Sequence, residues 1–237
     1  MKIGLTLLTI GMLLVPFGAF AADYQSFTRD AAVPYSQYKK SLSLTNKIED
    51  AAKAKAAIDA FVTGWTVVAD RYGKDRPTVF AAVNDFPALI AKPVQIARDS
   101  AALLDKGDVK GAHAKLEDIR YLLWNLRVTN GVNALADRVN SFHEVMEIML
   151  DLADHAKDQA ALNGIEGRYG SWFAISWEEL KLAPATETGA KGFAEAFAEG
   201  RSAIASYRSA LRSGDRPAIK TSGNAVKNSY KKIFFMD

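Results

Sequence analysis

Three histidines stand in this sequence, each four residues from an acid. His113 precedes Glu117, His143 precedes Glu147, and the second series runs on through Asp151 to His155. Residues four apart share one helix face, so each His–Glu pair presents an imidazole and a carboxylate to a divalent metal ion. His143, Glu147, His113 and Glu117 are therefore the candidate ligands for copper, iron or zinc. Helical bundles build metal sites from such groups on facing helices. The phase of the neighbouring apolar residues favours another reading. Leu135, Val139, Phe142, Met146 and Met149 form a core seam, and His143, Glu147 and Asp151 then point away from it, toward an exposed face held by local pairing. A surface or interface metal site, pH sensing and partner contact are the alternatives. Met146 and Met149 suit cuprous copper by softness, but both lie on the apolar seam, where methionine commonly fills core space.

Catalytic patterns are missing. The chain has no Gly-x-Ser-x-Gly elbow, no His-Glu-x-x-His and no Gly-x-x-x-x-Gly-Lys phosphate loop, so a non-enzymatic role is expected. There is no cysteine, which excludes thiolate catalysis, cysteine-ligated zinc, iron–sulfur clusters and covalently attached c-type haem. Tyr169, Trp172, Phe173 and Trp177 form an aromatic cluster that either packs a core or lines a small-molecule pocket.

The elements that position these residues are helical. Apolar residues recur at steps of three and four: Ile58, Phe61, Trp65, Val68 and Tyr72, then Leu116, Ile119, Leu123 and Leu126. Phe193, Phe197, Gly200, Ile204, Tyr207 and Leu211 make a later stripe, and Ile219, Gly223, Val226, Tyr230 and Ile233 make the last. Such stripes are the seams of antiparallel bundles, and no stretch shows sustained strand-type alternation. The fold class expected is all-α. Gly107-Asp108 and Gly214-Asp215 each close one helix and open the next, glycine supplying the left-handed stop and aspartate the N-cap.

A faint internal repeat crosses these breaks. Each half offers a Trp-bearing helix, a helix ending Leu-x-x-Gly-Asp, and a helix rich in aromatics, which suggests a duplicated unit of about three helices with an additional helix, residues 132–157, between the copies. Residues 23–45 have weak periodicity and are expected to pack as an extended N-terminal arm. The expected organisation is a leader over 1–22, the arm over 23–45, a first helical unit over 46–131 and a second over 132–237, packed on the first.

Composition bounds the rest. The chain has 237 residues, 49% hydrophobic and 24% charged, with formal net charge +3; it is long enough for a real core and too near neutral for generic nucleic-acid binding. Met1-Lys2, the apolar run Ile3 to Phe20 and Ala19-Phe20-Ala21 form a secretory signal with cleavage after Ala21 or Ala22. A periplasmic location is expected, with no membrane span after cleavage. Acids crowd Asp137 to Glu166 and bases crowd Arg201 to Lys232, which reads as helix faces that attract one another or as a basic docking face.

The closing segment carries the most specific pattern. Gly214-Asp215-Arg216-Pro217-Ala218-Ile219, followed by Asn224 to Phe235, resembles the C-terminal helix of the cytochrome c′ family, exported four-helix bundles whose last helix bears a Cys-x-x-Cys-His haem-attachment motif. The resemblance covers little more than a tenth of the chain. Laid alongside it, the attaching cysteines fall on Tyr230 and Ile233 and the iron-binding histidine on Phe234, all replaced by groups that fill space. The resemblance implies one or two cytochrome c′-like bundles without haem. The expectation is an exported binding or accessory protein with no cofactor, partnered by a periplasmic protein or a small ligand, with a homodimer left open. A metal carrier using the His/Glu pairs is the first alternative, and an electron carrier with non-covalent haem the second.

Overall fold

The computed structural model describes residues 17–45 and 50–236. Residues 46–49 lie outside that set, as does the expected leader over 1–22, apart from the helical backbone of 17–22. The described residues are helical almost throughout and contain no strand, an all-α bundle architecture. The helices are α1 (Phe17–Leu44), α2 (Ala51–Lys74), α3 (Phe86–Asp105), α4 (Val109–Thr129), α5 (Leu135–His155), α6 (Gln159–Glu178), the single turn α7 (Ala185–Thr188), α8 (Phe193–Ser213) and α9 (Arg216–Phe234).

Aspartate caps fix several helix starts. The Asp108 carboxylate accepts from Gly111 N at the start of α4 (2.8 Å), Asp158 from Ala161 N at α6 (2.8 Å), and Asp215 from Ala218 N at α9 (3.0 Å). Each cap satisfies an amide that the helix cannot pair internally. Gly107 (φ 76°) and Gly214 (φ 72°) end α3 and α8 in the left-handed region, where a side chain would be strained.

Two hydrophobic cores result. One joins α1 to α4, from Phe27 to Leu126. The other joins α5, α6, α8 and α9, from Leu135 to Ile233. A shared device marks the likeness of the two. Trp65 Nε1 on α2 donates to the Ile90 carbonyl on α3 (2.9 Å), and Trp177 Nε1 on α6 donates to the Phe197 carbonyl on α8 (3.0 Å). In both units the indole of the second helix is anchored to the backbone of the third long helix, which satisfies its buried N–H.

This pairing corrects two expectations. Residues 23–45 are no extended arm but the bulk of α1, the first helix of the first unit. Phe27, Ala31, Tyr38 and Leu42 are buried along it at helical spacing, and the buried Pro34 takes the stripe position between Ala31 and Tyr38. Proline inside a helix forfeits one backbone hydrogen bond, and here its ring packs against Gly64 of α2, where a Cβ would lie only 2.9 Å from Pro34 Cβ. The likeness is accordingly between groups of four helices rather than three. The helix over 135–155 is the counterpart of α1, not an additional helix between copies.

The aromatic cluster divides. Phe173 stacks on Phe142 (5.4 Å, 13°) and Trp177 meets Phe142 edge-on (4.7 Å, 69°) inside the second core, whereas Trp172 is 48% exposed. Packing explains the buried pair. Part of the opposed charge is paired within the second unit, where Arg208 and Arg212 both hold Glu166 (2.7 Å each) and Lys227 approaches Glu147 (3.6 Å), whereas Asp137 and Glu144 pair with arginines of the first unit. The attracting-faces reading fits these pairs.

Helix proximity in the second unit rests on Gly200, where a Cβ would fall 2.0 Å from the Trp177 ring. Gly200→Ala is therefore expected to lower stability by about 1–3 kcal/mol through overpacking, despite alanine's better helix propensity. Gly164→Ala in α6, where nothing lies within 4 Å, is expected to raise it by roughly 0.5–1 kcal/mol. Urea titration of the two variants checks both signs.

Candidate functional site

The two units meet along α4 and α5. On α4, Arg120 and Arg127 stand seven residues apart, each four residues after an apolar stripe position (Leu116 and Leu123). That places them at the edge of the first core, pointing toward the second. On α5, Asp137 and Glu144 are also seven apart, in the opposite order. Arg127 binds Asp137 through Nε (2.9 and 3.0 Å) and Nη2 (2.7 Å), and Arg120 Nη2 reaches Glu144 (3.2 Å). The result is two ion-pair rungs in the register of an antiparallel helix pair.

Around the Arg120 rung lies a cavity of about 430 Å³. His113 and Glu117 reach it from α4, His143 and Glu147 from α5, and Lys227 and Tyr230 from α9. All four residues expected as metal ligands thus line one cleft. His143 is not on a wet face, as the seam phase predicts; its side chain is only 18% exposed, because α4 covers the flank of α5 that its own core leaves open. Further along α5, Asp151 and His155 are on the exposed face, paired locally at 3.4 Å. Met146 and Met149 are buried in the core, with Met146 also reaching the cleft wall.

Arg120, only 2% exposed, organises the cleft. Its Nη1 donates to His143 Nδ1 (2.9 Å), and its Nη2 lies 2.6 Å from Glu117 Oε2 as well as 3.2 Å from Glu144 Oε1. Tyr121 donates to the same Glu144 oxygen (2.7 Å). Arginine has only donors, so His143 must accept at Nδ1 and carry its proton on Nε2. That N–H faces Glu147 Oε1 at 3.8 Å, which Lys227 approaches from α9 at 3.6 Å.

His113 Nδ1 sits 2.8 Å from Thr45 Oγ1, which also contacts the Ser41 and Leu42 carbonyls, and its Nε2 lies 3.7 Å from the Glu117 carboxylate.

Desolvation, then the charges of Arg120 and Lys227, push the His143 pKa down to about 3. Desolvation also lowers His113, and it raises the Glu117 carboxyl against the pull of Arg120. Both rings are neutral at pH 7. Six buried side-chain polar atoms lack a hydrogen-bond partner among the described residues, and three of them belong to this region: Arg120 Nε, Glu117 Oε2 and the Tyr38 hydroxyl, which feels Glu117 and Arg120.

The positions aligned with the haem-attachment motif close the cleft. Tyr230 is buried and packs on the His143 ring (5.0 Å). Ile233 is buried in the second core, while Phe234 is half-buried and touches both cores. Among the described residues no three His, Asp or Glu side chains gather as a ready metal site, and no helix is long and apolar enough to cross a membrane. Arg120 and Arg127 were not singled out by spacing arguments; their recurrence four residues after Leu116 and Leu123 is the signal that points to them. No protein-family model, curated protein or solved structure matches the chain.

The His143 environment has a pH consequence. The unfolded chain takes up a proton at that ring near pH 6.5, whereas the folded cleft does so only near pH 3. The unfolded state therefore binds more protons between those values, and stability falls as pH drops through the window. Denaturant titrations across it are expected to show a steeper loss for wild type than for His143→Gln, by up to about 1.4 kcal/mol per pH unit. Parallel slopes would contradict the assignment.

Proposed function

We propose that this chain is an exported, non-catalytic binding protein, a haem-free relative of cytochrome c′-type bundles, which holds a small polar ligand in the cleft between its two units. One observation carries the reading. Side chains from four helices of both units converge on a 430 Å³ cavity, beside which Arg120 Nε and the Tyr38 hydroxyl are buried without hydrogen-bond partners among the described residues. Buried polar atoms are nearly always hydrogen-bonded, so these mark places for water or ligand atoms. The wall mixes charges: Arg120 and Lys227 balance most of Glu117, Glu144 and Glu147, and two neutral imidazoles add further hydrogen-bonding groups. A small molecule with both donor and acceptor groups matches such a wall better than a strongly charged ion.

Kinship with the haem bundles draws support from α9. It opens on the Gly-Asp turn and carries Tyr230 and Ile233 into the interior, with Phe234 half-buried beside them. Rings of this size fill volume comparable to what a cofactor would occupy. Export draws its support from the leader pattern alone.

A metal carrier is the second reading, favoured by the meeting of His113, Glu117, His143 and Glu147 in one cleft. Arg120 weighs against it. The guanidinium takes the Nδ1 lone pair of His143, so that ring could bind a metal only by losing its Nε2 proton.

Native mass spectrometry of gently purified protein separates the readings. We expect a bound organic mass, released by acid and missing from folded His113→Ala/His143→Ala protein, and a visible spectrum without a Soret band. A mass equal to the polypeptide alone, in preparations from several growth conditions, would contradict ligand binding. Stoichiometric copper, iron or zinc that disappears in the double variant would put the carrier first.

A further inference from the structure

A second cavity, of about 620 Å³, opens along the same seam and shares no wall residue with the polar cleft. Its size lies within the range of about 300–1,000 Å³ typical of small-molecule sites, which often occur where domains meet. The first unit supplies α1, α2 and α4; the second supplies the start of α5 and the segment around α7. Five rings face it, those of Tyr24, Phe27, Tyr35, Trp65 and Phe80. All five pack among themselves or on neighbouring rings: Phe27 meets Phe80 edge-on at 6.0 Å, Tyr24 meets Phe80 at 5.9 Å, Tyr35 leans on Tyr38 at 5.3 Å, and Trp65 lies 5.5 Å from Phe61. The wall is thus pre-formed and suited to a flat apolar body.

One pole is polar, and its charges are internally balanced. Arg127 is locked to Asp137 by three hydrogen bonds of 2.7–3.0 Å. Glu187 Oε2 accepts from the Leu135 amide at the start of α5 (2.7 Å). Burial pushes the Glu187 carboxyl and the Tyr35 phenol above their ordinary values, toward their neutral forms. A charged ligand would bring an unbalanced charge against a largely apolar wall, which is strongly unfavourable. A hydroxyl or carbonyl group, by contrast, finds partners at Tyr35 or Glu187. Beyond this pole a smaller cavity of about 290 Å³ shares Tyr35, Ala136 and Glu187 with the larger one and runs on to Ile233 and Phe234. The space is therefore longer than a single ring system.

We infer that this cavity is a second binding site, for an uncharged, ring-bearing apolar small molecule that carries a hydroxyl or carbonyl group. The site stands independently of the polar cleft and differs from it in chemistry: one cleft is built of paired charges and imidazoles, the other of aromatic faces around a neutralised ion pair. Ala136 sits where the larger and smaller cavities join, on α5. Thr28 lines the opposite wall, on α1.

Titration of the full chain with N-phenyl-1-naphthylamine, an uncharged fluorophore that is dark in water, tests the inference. A saturable rise at one probe per chain is expected. Ala136→Phe and Thr28→Phe, which narrow the site from opposite walls, should each weaken binding by about tenfold or more, with circular dichroism and melting confirming that each folds. His155→Ala, on the exposed face of α5, should leave probe affinity unchanged. The sulfonated analogue 8-anilinonaphthalene-1-sulfonate should bind wild type at least about tenfold more weakly than the neutral probe. The inference is overturned by an absence of saturable signal in wild type, by binding that survives both narrowing variants, or by equal or tighter binding of the anionic analogue.

Discussion

A guanidinium held out of water between two helical bundles is the constraint on which the polar chemistry of this protein depends. Arg120 cannot shed its charge, so its burial has to be offset by nearby acceptors. Glu117 on its own helix, Glu144 on the facing helix and the Nδ1 lone pair of His143 provide them. Each of those groups is fixed in turn: Glu144 by Tyr121, His143 by the Tyr230 ring packed on it. Removing one member would leave another buried without compensation, which typically destabilises more than the pair itself contributes. The seam is consequently a specific joint rather than a greasy one.

The second rung, Arg127 with Asp137, repeats the device one heptad away and in matching antiparallel register. Together the two rungs set the register of α4 against α5 and leave a space beside each. The spaces differ because their surroundings differ. Around Arg120 the walls come from polar faces of α4, α5 and α9. Around Arg127 they come from aromatic faces of α1 and α2. Binding sites of opposite character can thus arise from one repeated contact, much as unrelated activities arise on one fold when the lining changes.

Much of the fold was legible in the sequence, and the reasons are local. Stripes such as Phe193 to Leu211 and Ile219 to Ile233 report one buried face each, and Gly-Asp punctuation reports helix ends through the conformation of glycine and the capping of aspartate. The Trp65 and Trp177 match reflects a real structural equivalence. The first helix is hidden because Pro34, a residue that ordinarily ends a helix, occupies one of its buried stripe positions, and the four-helix unit is hidden with it. Spacing points to the cleft residues, and Glu147 does face solvent at the cleft rim, whereas His143 does not. A helical wheel defines a face relative to a single core, whereas α5 is covered on two sides. His143 lies on the second covered side, and only the packing of the units reveals it. Arg120 and Arg127 were missed because arginine on a helix is ordinarily a solvated residue; its phase with Leu116 and Leu123 was the available clue.

The account centres on a neutral His143 ring, held by Arg120 as a hydrogen-bond acceptor at Nδ1 with its proton on Nε2. Long-range proton–nitrogen NMR of the histidine side chains in the intact folded chain reads tautomer and charge directly. At pH ~5, well below the ordinary imidazole value, the account predicts a neutral His143 protonated at Nε2 alone, beside a fully charged His155 on the exposed face. An imidazolium signal from His143 at that pH, or a neutral ring protonated at Nδ1, would contradict it.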